Sequence, residues 1–221
     1  MPTIAENLAV YCSPQAFPSD GGEWKNQAAY CGVHYELWKA ELFDTFVTPF
    51  VACDMNVVEI APGHGRWSCL LAPLVPQGCC ILVDVSAACI QYCRTRLSTV
   101  DNVVYQVNDG ATLPFLPDGS IDFIWSYDSF VHIEEPETRS YFSEFRRIMK
   151  PRSRGCIHHP GTPTPKQRRE GWRSLVTTAL VQQIVETSNL EIIRQTDTWG
   201  PNGICNTKLH ADLITEFRKP L

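Results

Sequence analysis

Three carboxylates, Glu59, Asp84 and Asp109, stand at or just past the ends of three short apolar runs. Between the first and second lies a glycine pair, Gly63 and Gly65. Glycine lets backbone approach a ligand closely because no side chain intervenes. A helix opening just after it turns unpaired N–H groups toward that ligand. A carboxylate at Asp84, 19 residues past Gly65, can accept from both hydroxyls of a ribose. One at Asp109 can face an adenine amino group. The set suits a nucleotide-like ligand with polar or negative groups.

A second set suits proton transfer. Asp128 and His132 follow the apolar run 121–126, His158 and His159 end the run from Cys156, and His210 and Asp212 open the last one. Histidine, with a reference pKa of about 6.5, takes a proton readily near neutrality, and a carboxylate can orient it. In a strand only one of His158 and His159 can face a given side. His159, nearer the strand end, is the favoured base. Histidine and aspartate on neighbouring strands could also hold a divalent metal, but no spacing supports one, and no metal ligand is assigned.

The elements that must position these groups alternate. Strands read at 57–60, 80–84, 103–107, 121–126 and 156–159, and helices at 66–74, 87–98 and from Pro136 to about Met149. Ser86 is a plausible N-cap and Pro136 suits a first helical position. Such alternation implies a parallel sheet with right-handed crossovers. Ligands of such sheets bind outside the carboxyl ends of the strands. Pro160 to Pro165 reads as a loop, followed by a helix over about 172–187 and strands at about 190–197 and 209–217. Ahead of all this, apolar residues at 24, 28, 31, 35, 38, 42 and 46 mark one helical stripe.

Composition narrows the setting. The chain has 221 residues, 44% of them hydrophobic, enough for one large α/β domain. A net charge of −5 without a long basic run argues against nucleic acid as a partner. Ten cysteines without a C-x-x-C pair read as reduced core thiols, so a cytoplasmic protein is expected. No run reaches membrane-spanning length, and the first residues lack a signal pattern. Nothing fixes an oligomeric state.

The chain resembles the class I S-adenosylmethionine-dependent methyltransferases. The resemblance rests on Glu59-x-Ala61-x-Gly63-x-Gly65, Asp84, Asn108-Asp109-Gly110, the stretch Ser120 to Ser126, and the stretch Phe145 to Pro151. It implies a Rossmann-like, mostly parallel sheet of seven strands, the last antiparallel, with helices on both faces. Residues 1–50 would be a lead-in and cover helix on a methyltransferase domain of 51–221. It implies S-adenosylmethionine held by Glu59, Ala61, Gly63, Gly65, Asp84, Val85, Asp109 and Gly110, with Ser126 bordering the site through backbone. Ala61 departs from the family, which usually has glycine there, and a slightly wider turn is expected. The stretch Pro151 to Gly155 departs as well.

Within the family, Glu59 to Trp67, Ser126 to His132 and Ile157-His158-His159 look most like bacterial O-methyltransferases of sugars and specialised metabolites. The implied reaction is methylation of a hydroxyl on a small metabolite, with Asp128, His132, His158, His159 and Asp212 as catalytic candidates. Trp24, Tyr30 or Trp38 would stack on the acceptor. A carboxyl acceptor on a peptide-like natural product is the alternative, and a non-catalytic methyltransferase-like subunit a further one. A dinucleotide site is the rival cofactor reading, since Gly63-x-Gly65-x-x-Ser68 nearly meets that fingerprint.

Overall fold

A computed structural model describes residues 3–11, 22–162 and 173–221. Strands β1 (Asn56–Ile60), β2 (Cys79–Asp84), β3 (Val103–Val107), β4 (Ile121–Ser126), β5 (Met149–Pro160), β6 (Glu191–Thr196) and β9 (Asp212–Arg218) form one sheet in the order β3-β2-β1-β4-β5-β9-β6. The β1–β2, β1–β4, β2–β3 and β4–β5 pairs are parallel, and β9 runs antiparallel to both neighbours. The expected seven-stranded architecture is therefore present.

The central strands bury both faces, which is why they read as continuous apolar runs. Val57, Cys80, Leu82, Phe123 and Trp125 point into one core. Their neighbours Val58, Ile81, Val83 and Ile124 point into the other. That is the period-two alternation of a strand. On the first face pack α2 (Gly22–Tyr30), α3 (Tyr35–Phe46), α4 (Ser68–Leu71) and α5 (Ala87–Arg96). On the second pack α6 (Glu135–Ile148) and α7 (Thr178–Thr187). Helix α6 buries Thr138, Tyr141, Phe142, Phe145 and Ile148, one stripe at helical spacing. A short helix α1 (Ile4–Tyr11) precedes them.

Several boundaries differ from the sequence reading. The 24–46 stripe is two helices, because Gly32 takes a left-handed φ of 70° and ends α2. Gly32 N–H and Val33 N–H turn back to the carbonyls of Ala29 and Ala28, a glycine C-cap. His34 then caps α3, its Nδ1 accepting from Glu36 N–H. The helix expected over 66–74 is regular only over Ser68–Leu71, since turns occupy 63–67 and Pro73 tightens the end into a 3₁₀ turn. The helix expected from 172 begins at Thr178, where Thr177 accepts from Leu180 N–H. Strand β5 starts earlier than expected, at Met149, and pairs along its length with β4 and β9. A hairpin of β7 (Thr198–Trp199) and β8 (Cys205–Asn206) was not anticipated. The loop expected over 160–165 falls partly outside the described residues.

Candidate active site

A cavity of about 940 Å³ opens at the carboxyl ends of β1, β2 and β4. Its walls include Ala61, Gly63, Asp84, Val85 and Gly110 from the first candidate set. From the second set come Asp128 and His132. Residues of α1, among them Ile4 and Leu8, lie along one side, and Trp24, Trp67 and Tyr127 along another.

The turn after β1 is held by side chains that close it from behind. Ala61 takes a φ of 54°, Gly63 54° and Gly65 77°, all left-handed. The expected wider turn at Ala61 is instead a strained one, since a Cβ in that region meets the following carbonyl. Gly65 does not line the cavity. A Cβ added there would stand 3.1 Å from Cys93 Sγ, tighter than ordinary contact, and the φ of 77° would strain any other residue, so glycine suits both the turn and the packing on α5. The Cys93 thiol in turn donates to Gly63 O at 3.2 Å.

Asp84 ties this turn to the next. Its Oδ2 accepts from Gly63 N–H at 3.1 Å and its Oδ1 from Ser86 N–H at 2.8 Å. Burial raises its pKa to about 6 against these hydrogen bonds, which pull the other way. Glu59 is deeper. It does not line the cavity, and its Oε2 is 2.5 Å from Ser68 Oγ, which donates to it. Burial pushes its pKa to about 8. Asp109 lies elsewhere: it is exposed, and its carboxylate accepts from Ala111 N–H, Thr112 N–H and Thr112 Oγ1. Those bonds, chiefly the one from the Thr112 hydroxyl, hold its pKa below the usual range. Its neighbour Gly110 meets the cavity; Asp109 does not. Ser126 is buried, with Oγ donating to Ile60 O at 2.9 Å across the β1–β4 pair.

The proton-transfer candidates divide into three environments. Asp128 stands on the cavity wall with a left-handed φ of 60°. Its Oδ2 accepts from Trp24 Nε1–H at 2.8 Å. His132, half-buried in a 3₁₀ turn, also lines the wall.

His158 is buried behind Asp128, its ring stacked on Tyr127 at 4.4 Å. Its Nδ1 accepts from Asp128 N–H at 3.1 Å, and its Nε2 is 3.4 Å from Asp212 Oδ2. Asp212 is buried and pairs with Arg173 Nη2 at 2.9 Å, close enough for an ion pair but not aligned as a hydrogen bond. The sequence reading placed Arg173 at the start of the helix expected over 172–187 and gave it no role.

His159, the favoured base, is fully buried and does not line the cavity. Its Nδ1 is 2.7 Å from Pro160 O, and its Nε2 2.6 Å from Thr215 Oγ1. The carbonyl can only accept, so Nδ1 carries the hydrogen and Nε2 accepts from the hydroxyl. Burial lowers its pKa to about 4. Both ring nitrogens are used inside the protein. Of the stacking candidates, Trp24 meets the cavity, Trp38 is wholly in the core, and Tyr30 is exposed away from it.

Among the described residues, no group of three or more His, Cys, Asp or Glu is arranged to hold a metal ion, and no helix is long and apolar enough to cross a membrane.

Comparison with known proteins agrees with this geometry. Residues 57–152 match a family described as a methyltransferase domain. Over 120 residues the chain is 27% identical to malonyl-[acyl-carrier protein] O-methyltransferase of Methylococcus capsulatus, covering 54% of this chain and 42% of that one. Over 104 residues it is 41% identical to a probable tocopherol O-methyltransferase, chloroplastic, of Oryza sativa subsp. japonica, covering 46% and 28%. The chain thus spans less than half the length of these curated relatives. The solved structure of geranyl diphosphate C-methyltransferase from Streptomyces coelicolor superposes with a TM-score of 0.67 at 15% identity, over 83% of this chain and 77% of that one. The matched segment carries β1 to β4, the glycine turn and Asp84, so this part of the chain is similar to a methyltransferase domain, and the sheet shares its fold with the solved C-methyltransferase.

Proposed function

We propose that the chain is an O-methyltransferase that transfers a methyl group from S-adenosylmethionine to a hydroxyl of a small metabolite such as a sugar or natural product. The observation that carries the cofactor half is Asp84: a carboxylate on the cavity wall, at the end of β2, locked by Gly63 N–H and Ser86 N–H. Each of its oxygens keeps a lone pair for a ligand hydroxyl. Ala61, Gly63, Val85 and Gly110 give the close-approach surface beside it. Glu59 supports the turn through Ser68 rather than facing the ligand. When bound, the cofactor supplies a methyl group on a sulfonium, open to displacement by a nucleophile in line with it.

The chain's own part is to hold the acceptor, keep water out and take a proton. Trp24, Trp67 and Tyr127 form an apolar wall. Asp128 and His132 are the two proton-transfer candidates that reach the cavity. A neutral aliphatic hydroxyl needs such a group in the transition state. Asp128 is the proton acceptor in this reading, its Oδ2 fixed by Trp24 and its Oδ1 left to the acceptor. The lining charges favour a hydroxyl over a carboxylate acceptor. Asp84, Asp128, Glu134, Glu135 and Glu137 oppose a single arginine, Arg66, among the described lining residues. A second carboxylate entering there meets like charge.

Calorimetry with S-adenosylhomocysteine and with NAD tests the cofactor. Binding of NAD alone refutes the reading. Release of S-adenosylhomocysteine over a panel of hydroxyl and carboxyl acceptors tests the rest, and turnover only with carboxylates sinks the hydroxyl assignment.

A further inference from the structure

We propose that His158 is a positioning residue for Asp128, and that Asp212, paired with Arg173, sets the His158 tautomer needed for it. The inference rests on Asp128 as the proton acceptor. His158 never meets the cavity, yet it bonds the backbone of the residue that does. Asp128 N–H points at His158 Nδ1, so that nitrogen must be unprotonated. A neutral ring then carries its hydrogen on Nε2, which faces Asp212 Oδ2 at 3.4 Å. Asp212 can only accept when ionised, and Arg173 at 2.9 Å keeps a positive charge beside it. The negative charge of the acid, close but not aligned as a hydrogen bond, favours the Nε2–H tautomer, and that tautomer leaves Nδ1 to accept.

The burial of the group makes this demanding. His158 and Asp212 are each 1% exposed, and His158 Nε2 and both Asp212 carboxylate oxygens have no aligned hydrogen-bond partner among the described residues. A buried carboxylate kept without full satisfaction costs stability, so its place behind a cavity residue calls for a reason. The reason lies in the backbone of Asp128. A φ of 60° is uncommon for aspartate and persists only where neighbours hold it. Two restraints do so: the His158 bond to its amide and the Trp24 bond to its carboxylate. Stacking on Tyr127 at 4.4 Å and 11° keeps the imidazole in plane for the first of them. The residues come from five distant parts of the chain, at 24, 127–128, 158, 173 and 212, so no local motif announces the arrangement.

The tautomer can be read without knowing the acceptor. Histidine labelled with nitrogen-15 and a long-range proton–nitrogen correlation report which ring nitrogen of His158 is protonated. The expected answer is Nε2. Asp212→Asn can donate to Nε2, so the ring should invert to Nδ1–H, and the Asp128 amide should lose its hydrogen bond and its exchange protection. His158→Phe keeps the ring stack and removes both nitrogens; His158→Asn returns a carbonyl oxygen near the place of Nδ1. With an acceptor that turns over, His158→Phe should lower kcat about 10- to 100-fold, as loss of a supporting partner does elsewhere. His158→Asn should recover part of that, with S-adenosylhomocysteine affinity unchanged in both. His158→Phe combined with Asp212→Asn should be no worse than His158→Phe, because the acid acts through the ring. An Nδ1-protonated His158 in the unaltered chain overturns the inference. So does an unchanged kcat in His158→Phe, or an equal loss of S-adenosylhomocysteine affinity. Full kcat in Asp128→Asn defeats the proton-acceptor reading instead, and the tautomer result stands apart from it.

Discussion

The two walls of the cavity are built from different kinds of contact. Along β1 and β2, Asp84 reaches Gly63 and Ser86, and Cys93 reaches Gly63, all within about one βαβ unit. The bonds run from backbone to side chain over short spans, and the groups they hold are short and stiff. Along β4, β5 and β9, Asp128 is held by Trp24 and His158, and His158 faces Asp212. The Trp24 bond joins segments 104 residues apart, whereas the His158 bond to the Asp128 amide spans 30 residues, as the Cys93 bond does in the first wall. The first wall is a turn that must fit one ligand shape. The second is a set of polar groups on a common sheet edge, held by partners on other elements. The two walls meet where β1 pairs with β4, and there Ser126 Oγ donates to Ile60 O at 2.9 Å.

The comparison can be broken most directly at Asp128. If the second wall does the proton transfer, Asp128→Asn should lower kcat by roughly 10²- to 10⁴-fold while S-adenosylhomocysteine affinity holds. A parallel loss of affinity would mean that the walls are not separate.

Asp84→Ala is the converse test on the first wall. Loss of charge-assisted hydrogen bonds to a ligand should weaken S-adenosylhomocysteine by about 2–3 kcal/mol, roughly 30- to 150-fold, in calorimetry. Affinity should also fall on acidification. The Asp84 carboxyl has a pKa of about 6, so the ionised acceptor form is lost below that value. Binding between pH 7 and pH 5 should drop by about tenfold. A flat profile would remove Asp84 from direct contact.

His159 sharpens the second wall, because it adjoins His158 in sequence and differs in role. His159→Gln should cost about 1–3 kcal/mol of stability through its buried hydrogen bonds, and leave kcat unchanged. Its folded pKa, about 4, is below the usual 6.5. Between those values the unfolded chain takes up a proton that the folded one does not, so stability falls as pH drops from 6.5 toward 4. Thermal unfolding of the variant over that range should show a shallower fall. A collapse in kcat at full stability would restore His159 as the base.

The smallest effect concerns Ala61. Glycine there relieves the left-handed strain and gives back some unfolded-chain entropy, so Ala61→Gly should gain less than about 1 kcal/mol, read as a slightly raised Tm. A lowered Tm would show that the alanine methyl packs usefully.

Much of the first wall was legible along the chain. Period-two burial on both faces marks β1, β2 and β4, and the spacing from Gly65 to Asp84 is set by one helix and one strand. Asp109 is the exception within that wall. Its position after β3 was readable, but a neighbouring threonine hydroxyl and two N–H groups claim its carboxylate, and only the folded turn brings them together. The break at Gly32 shows a related limit, since a glycine inside an unbroken apolar stripe is compatible with either one helix or two.

The succession of strands and helices along the chain, the glycine turn and the strand-end carboxylates follow from local periodicity and local turn chemistry, which act over a few residues and so leave their mark in the chain itself. The roles of the two adjacent histidines do not. Strand alternation says only that His158 and His159 face opposite ways. Which side holds Asp128 and Tyr127, and which holds Thr215 and Gln195, depends on how β5 packs between β4 and β9. The protonation of a buried ring is set by its nearest polar atoms and by the loss of water, and those atoms are supplied by packing between segments that the chain keeps far apart.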